Sequence, residues 1–174
     1  MEPFDRVSWC VLSTLAEDAE IISLSDCEGE GDDDYVPYSS PKALEVLDRE
    51  VPVGAGARVE VVTDIGGATL MSEPVASIEG GAVTVRAVLE AIERAMHRPF
   101  VPNAGRVLEN GVSQDEIFQA AEGSVFDPKS SQFVGVADIY ARGGLRPNLL
   151  LGNHVFFEGI SRDSAGTLRP HYGS

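Results

Sequence analysis

The clearest periodic pattern in the chain predicts an amphipathic helix between Thr84 and His97. Apolar residues recur there at intervals of three and four positions, which places them on one face of a helix. These residues are Val85, Val88, Leu89, Ile92 and Met96. Thr84 suits the N-cap position, and Pro99 disfavours a helical conformation at the residue before it. The helix should therefore end near His97.

Alternating apolar and polar residues predict strands on both sides of this helix. Residues that are β-branched are frequent in these segments, and turn-forming residues separate them. The predicted strands cover residues 20–24, 58–65, 69–78, 133–140, 154–160 and 167–172. Pro74 interrupts the third of these. Because proline cannot donate to a strand ladder, that strand should lie at a sheet edge or contain a bulge.

Two shorter helices complete the predicted elements. One covers residues 41–50 with Ser40 as its N-cap, and the other covers 113–123 with the capping-box pair Ser113 and Glu116. Glycine pairs between the segments mark tight hairpin turns. The irregular alternation of helices and strands predicts an α+β fold, with a mainly antiparallel sheet packed with two or three short helices.

Charge divides the chain into a predicted arm and a predicted domain. The 174 residues include 28 Asp and Glu against 13 Lys and Arg, which gives a formal net charge of −15. Six of the nine residues in 26–34 are acidic. Like charges at this density repel each other, so a mobile backbone is expected there. Residues 1–40 are predicted to form a weakly ordered acidic arm, and residues 41–174 a single α+β domain.

Composition also excludes several classes of partner and location. An acidic chain lacks the cationic surface that nucleic acid or anionic lipid requires, so neither is an expected partner. The sequence shows no long apolar run and no secretory signal pattern. Cys10 and Cys27 form no C-x-x-C pair and are expected to be free thiols in a reducing compartment. The chain is therefore predicted to be soluble and cytoplasmic rather than secreted, and a nuclear location stays open.

Two segments of the chain resemble a family of fungal proteins. Residues 83–92 read V-T-V-R-A-V-L-E-A-I, similar to that family's helix start V-T-V-x-D-V-L-x-A-I. Residues 144–160 contain G-L-R, then L-L-L-G, then F-E-G-I, and resemble its C-terminal pattern R-x-D-x-L-x-G-x-x-x-F-x-G-L. The family is the domain of unknown function 6699, which is abundant in mushroom-forming fungi.

The resemblance covers roughly residues 57–172 and includes two departures from the family pattern. Ala87 stands where the helix usually has Asp, and Pro147 or Asn148 stands where Asp usually follows the basic residue. The resemblance implies a fold and a fungal source. It implies no reaction and supplies no catalytic residue.

The acidic stretch contains the beginning of a calcium-loop pattern. Asp26, Glu28 and Glu30 alternate as the first ligands of an EF-hand loop do. The twelfth position of that loop needs a bidentate Glu, and Pro37 occupies it here. A solvated acidic loop is therefore the preferred interpretation over a calcium site, and no metal or cofactor is predicted.

A second group of residues could supply acid–base chemistry. His154 and Glu158 lie four positions apart on a predicted strand, which places them on one face with Phe156 between them. Asp138 on a neighbouring predicted strand and Arg146 would complete a small pocket. Two ligands do not hold zinc, which takes three or four. The preferred interpretation of these residues is a polar sheet face.

These observations favour a non-catalytic protein-interaction module over an enzyme, although catalysis stays open. No nucleophile elbow and no phosphate-binding glycine loop occurs in the sequence. The concentrated acidic charge instead indicates a partner protein with a basic patch. The alternative is a small enzyme with a pocket around His154, Glu158 and Asp138, and a weaker alternative is a mimic of nucleic-acid charge. The sequence leaves the oligomeric state open.

Overall fold

Short strands and helices make up the fold, seen in a computed structural model. The structure describes residues 3–23, 35–53, 56–62, 69–78, 81–99, 124–127, 132–135, 146–151 and 154–174. The helices are α1 (Leu15–Asp18), α2 (Leu44–Leu47) and α3 (Val85–His97), with 3-10 turns at Pro3–Arg6, Pro41–Ala43 and Pro147–Leu150. The strands are β1 (Val7–Ser8), β2 (Glu20–Ile22), β3 (Tyr35–Pro37), β4 (Glu50–Val51), β5 (Arg58–Val62), β6 (Thr69–Pro74), β7 (Val83–Thr84), β8 (Ser124–Asp127), β9 (Gln132–Gly135), β10 (Phe156–Arg162) and β11 (Leu168–Gly173).

The largest sheet has four strands in the order β10-β11-β5-β6. β10 pairs antiparallel with β11, and β5 pairs antiparallel with β6. β11 and β5 run parallel, with Leu168 opposite Val59. Two further antiparallel pairs, β4 with β7 and β8 with β9, lie outside this sheet. The predicted α+β class with a mainly antiparallel sheet is confirmed.

A three-stranded antiparallel sheet, β1-β2-β3, joins the larger sheet through the residues that follow β1. The Phe157 N–H donates to the Trp9 carbonyl at 2.9 Å, and the Val11 N–H donates to the Val155 carbonyl at 2.9 Å. Between them, Cys10 forms an antiparallel bridge with Phe156. The chain from β1 to Val11 therefore pairs with β2 at its beginning and with β10 at its end. The strands consequently lie side by side in the order β3-β2-β1-β10-β11-β5-β6.

The predicted amphipathic helix is present as α3 with the expected ends. The Thr84 hydroxyl accepts from the Ala87 N–H at 3.2 Å, and the last helical residue is His97. All five residues of the apolar stripe are buried. Their face packs against β5 and β6, where Val59 and Val61 are fully buried. This packing provides the central layer of the hydrophobic core.

A side-chain acceptor and a glycine explain the tight turn between β10 and β11. The Asp163 carboxylate accepts from the Ala165 N–H at 2.9 Å and from the Thr167 N–H at 3.0 Å. Gly166 has a φ of 87°, which favours glycine. The hydrogen bond from Thr167 is the main reason that the pKa of Asp163 lies below its usual value.

The N-terminal residues contribute directly to the core. Trp9, Val11, Leu15 and Ile21 are buried in the same apolar cluster as α3 and the β5–β6 pair. Residues 3–23 and 35–40, which fall inside the predicted arm, are thus packed against the predicted domain. The division at residue 40 stays a prediction. The acidic stretch 26–34 and the predicted helix 113–123 lie outside the described residues.

Among the described strands β6 lies at the edge of the four-stranded sheet, as Pro74 predicted, and proline and arginine protect this edge. The Val75 N–H donates to the Ala57 carbonyl, so Ala57 and Val75 form a hydrogen-bonded pair. The next pair along the ladder, Arg58 and Pro74, is therefore not hydrogen-bonded, and the carbonyls of these two residues point away from each other. Arg58 donates to the Ser72 carbonyl at 3.3 Å, and Arg94 donates to the Pro74 carbonyl at 3.4 Å. These contacts discourage another chain from pairing with this edge.

The cap of α3 provides a test of the fold. Replacing Thr84 by Ala removes the acceptor for the Ala87 N–H, and should lower the free energy of unfolding by about 1 kcal/mol. Thr84→Ser retains the hydroxyl and should lose only a few tenths of that amount. Urea unfolding of both variants measures the difference. Equal losses for Ala and Ser would contradict the role of the hydroxyl.

Candidate functional site

The residues predicted for acid–base chemistry lie in different local environments. β10 begins at Phe156, so His154 precedes the strand, and its N–H donates to the Leu151 carbonyl at 3.1 Å. Glu158 lies at a register shift between Phe157 and Gly159, and its carboxylate lies where a side chain at position 173 would be. Both side chains are exposed. No contact between His154 and Glu158 is present in the described part of the chain.

Of the other candidate residues, Arg146 lies at a different place in the fold, and the rest lie outside the described residues. Arg146 is half-buried before the Pro147–Leu150 turn, and its charge acts on His97. Asp138 and the calcium candidates Asp26, Glu28 and Glu30 lie outside the described residues. Within the described ranges, no group of three or more His, Cys, Asp and Glu side chains could hold a metal ion.

The most concentrated polar cluster lies at the C-terminal end of α3, and we call it the His97 junction. It comprises His97, Glu93, Arg146 and Asn148 around the turn from Val11 to Ser13. Asn148 Nδ2 donates to the Val11 carbonyl at 3.2 Å, and the Trp9 indole N–H donates to the Ser13 carbonyl at 3.0 Å. Three segments distant in sequence therefore meet at this turn.

Glu93 connects the junction to the first helix. Its Oε1 accepts from the Leu15 N–H at 2.7 Å, which satisfies a donor at the beginning of α1 that has no partner within the helix. Thr14 and Glu17 form a capping box at the same end, with Glu17 accepting from the Thr14 N–H at 3.1 Å. A short helix is thus stabilised mainly by carboxylates around its N-terminus.

Burial holds His97 in its neutral form. Desolvation is the largest cause of a pKa below the usual value of 6.5, and the positive charge of Arg146 lowers the pKa further. The charge of Glu93 and hydrogen bonds to the carbonyls of Ser13 and Val11 act in the opposite direction and are outweighed. A neutral imidazole carries one N–H and one lone pair, so it both donates and accepts.

Two atoms of the junction are buried without a hydrogen-bond partner among the described residues. They are His97 Nε2 and Asn148 Oδ1. Asn148 is 2% exposed, so solvent does not reach its side chain directly. An unsatisfied buried polar atom costs about 1–3 kcal/mol. No sequence pattern predicts these two buried atoms, because contacts between α3 and the Pro147–Leu150 turn join segments distant in sequence.

Acidic side chains form a second feature, on α1 and the β1-β2-β3 sheet. Glu17, Asp18 and Glu20 are exposed on α1 and β2. Tyr35 follows the acidic stretch, is 49% exposed, and lies opposite Ile22 across the β2–β3 pair. The described residues before and after the acidic stretch therefore belong to two neighbouring strands, β2 and β3. We call Glu17, Asp18, Glu20 and Tyr35 the acidic surface.

Comparison of the chain with family models, with curated proteins and with solved structures finds no match. The resemblance of residues 57–172 to a fungal family stays a prediction. Among the described residues, no helix is long and apolar enough to cross a membrane. Arguments about function therefore rest on the geometry of this chain.

The depressed pKa of His97 predicts a particular pH dependence of stability. In the unfolded chain, the His97 side chain binds a proton as pH falls below about 6.5. In the folded protein the same side chain resists protonation, so the free energy of unfolding decreases as pH falls through that range. We expect unfolding free energy to decrease less between about pH 7.5 and 5.5 in His97→Gln than in the wild type. His154→Gln, which changes an exposed histidine, should retain the wild-type decrease. Equal decreases in all three proteins would contradict the assignment.

Proposed function

We propose that this protein is a non-catalytic interaction module whose acidic surface binds a basic segment of a partner protein. The observation that carries the proposal is the uneven distribution of charge. Residues 1–41 contain eleven Asp and Glu and one basic residue, Arg6. The remaining 133 residues contain seventeen acidic and twelve basic residues, so they carry a net charge of only −5. Most of the net charge therefore lies in the first quarter of the chain.

Packing of the N-terminal residues supports the same proposal. A partner surface binds more strongly when it is already ordered, because less conformational entropy is lost on association. Glu20 belongs to β2, and the next residue of that strand, Ile21, is fully buried. Tyr35 presents an aromatic ring on the same face of the β2–β3 pair as Glu20, and aromatic residues are common anchors of protein interfaces. The carboxylates and the ring together suit a segment rich in Lys or Arg, since a cation can contact either.

The catalytic alternative has less support from the described contacts. His154 and Glu158 are exposed and have no described contact with each other, and Arg146 belongs to the His97 junction. His97 Nε2 is buried, so a substrate would reach it only if the junction opened. A general base needs to be within hydrogen-bond reach of the proton that it removes. The interaction module is therefore the function that we propose.

The proposal includes a cellular setting. A free thiol at Cys10 supports a cytoplasmic protein, with the nucleus as the other compartment. The net charge of −15 supports a protein partner rather than nucleic acid or an anionic membrane. The fungal family that the sequence resembles remains part of this proposal.

Binding of a basic probe tests the proposed function directly. A short fluorescein-labelled peptide rich in Lys and Arg should bind with an affinity that falls at least about fivefold between 0.05 and 0.5 M NaCl, because salt screens exposed charges. A peptide with Glu in place of the basic residues is the control. Fluorescence anisotropy gives both affinities. Salt-independent binding, or equal binding of both peptides, would argue against the proposal.

Matched charge variants locate the interaction on the molecule. Neutralising the three carboxylates of the acidic surface by Glu17→Gln, Asp18→Asn and Glu20→Gln should weaken peptide binding about tenfold, since three exposed ion pairs together contribute about 1–1.5 kcal/mol. The control neutralises an equal number of exposed carboxylates elsewhere. These are Glu45, Glu50 and Glu158, each changed to Gln. The control should bind nearly as the wild type does, and equal weakening in both variants would show that net charge alone is responsible.

A further inference from the structure

Three arginine side chains meet along β6, and we call Arg58, Arg94 and Arg98 the arginine edge. Arg58 reaches this strand from β5, where its Nε donates to Ser72 Oγ at 2.9 Å and a terminal nitrogen donates to the Ser72 carbonyl at 3.3 Å. Arg94 reaches β6 from α3 and donates to the Pro74 carbonyl at 3.4 Å. Guanidinium groups from both neighbouring elements are therefore held against this strand.

The positive charge of the arginine edge is only partly compensated. Arg98, at the C-cap of α3, forms an ion pair with Glu73, whose side chain is 3% exposed. In the described part of the chain, Arg58 and Arg94 form no ion pair, because the acceptors that they contact are neutral. These four side chains carry a net charge of +2. All three arginines are exposed, and each guanidinium has five N–H donors, so donors remain for a ligand.

The two carbonyl contacts fix the interval between Arg58 and Arg94. The carbonyls of Ser72 and Pro74 belong to residues two apart in β6, and both point away from β5. They are therefore about 6.8 Å apart along the strand. Alternate side chains of an extended peptide recur at the same interval. A peptide lying along β6 can thus bring one carboxylate to each of the two guanidinium groups.

We propose that the arginine edge binds an extended acidic segment of a partner polypeptide that has Asp or Glu at alternate positions. Pro74 has no N–H, and arginines occupy the carbonyls of Ser72 and Pro74, so side chains hold the segment in place of a strand ladder. Guanidinium and carboxylate groups form short, charge-assisted hydrogen bonds. Because contacts within the protein already hold these arginines, little further side-chain entropy is lost on binding.

The acidity of the whole chain does not prevent this binding. Eleven of the 28 acidic residues lie in residues 1–41, whereas the arginine edge belongs to β5 and the end of α3. Exposed charges more than about 8 Å apart are largely screened at physiological salt, so the nearest charges dominate. Glu60, which lies opposite Ser72, is itself paired with Arg169. The arginine edge is thus a second site, for ligands of opposite charge to those of the acidic surface.

An NMR titration of the protein at physiological salt tests the proposal with an acetylated and amidated peptide, S-E-S-E-S-E-S-S. We expect saturable shifts of the Ser72 and Glu73 amide signals and of the Arg58 and Arg94 Nε signals. The control peptide S-E-S-S-E-S-S-E has the same composition, but successive Glu side chains lie on opposite sides of an extended chain. It should bind at least about threefold more weakly, since it cannot pair with both arginines at once.

Two results of the titration would overturn the proposal. One is the absence of saturable shifts at these signals up to about 10 mM peptide, or equal affinity for the two peptides. The other is binding of inorganic phosphate with the affinity of the first peptide, because one small anion makes no use of the spacing between the arginines.

Matched variants test whether the arginine edge is the binding site. Arg58→Gln combined with Arg94→Gln should lower the affinity for the first peptide at least about fivefold, because both ion pairs are lost. Lys42→Gln combined with Arg49→Gln removes the same charge from exposed positions elsewhere and should retain the affinity. Equal losses in the two variants would contradict a local site. If the arginine variant fails to fold, the titration of the wild-type protein decides.

Discussion

Backbone pairing between residues 9–11 and 155–157 is the interaction on which the rest of this structure depends. Two hydrogen bonds of 2.9 Å and the bridge at Cys10 join the N-terminal sheet to β10. Phe157 packs its ring 6.2 Å from that of Trp9 and 6.4 Å from that of Phe4, so apolar contact reinforces the pairing. The same pairing brings the Val11 turn to the end of α3, where the His97 junction forms.

The proposed function follows from this connection. Carboxylates on a weakly ordered arm would bind a partner only after the arm had lost conformational freedom. In β2, Ile21 is fully buried and the preceding residue, Glu20, is exposed. The following residue, Ile22, lies opposite Tyr35 on β3. Acidic side chains on this sheet therefore have fixed neighbours, and a basic segment can approach an ordered surface.

Local patterns in the sequence predicted the elements that local physics determines. Thr84 caps α3, His97 ends it, and Pro74 lies on an edge strand, because capping and proline geometry depend on neighbouring residues. Burial of Trp9, Val11 and Ile21 in the same cluster as α3 could not be predicted, because it depends on contacts with residues far away in sequence. The His97 junction could not be predicted, since its contacts join distant segments and leave no periodic signal.

Native-state hydrogen exchange at two backbone amides tests the central claim most directly. If the N-terminal strand and β10 belong to one sheet, the Val11 and Phe157 amides should exchange as slowly as those in the buried middle of α3, such as Leu89. Exchange of Val11 and Phe157 at rates typical of unfolded chains, while Leu89 stays protected, would contradict the account. That result would show an N-terminal segment attached only loosely to the rest of the protein.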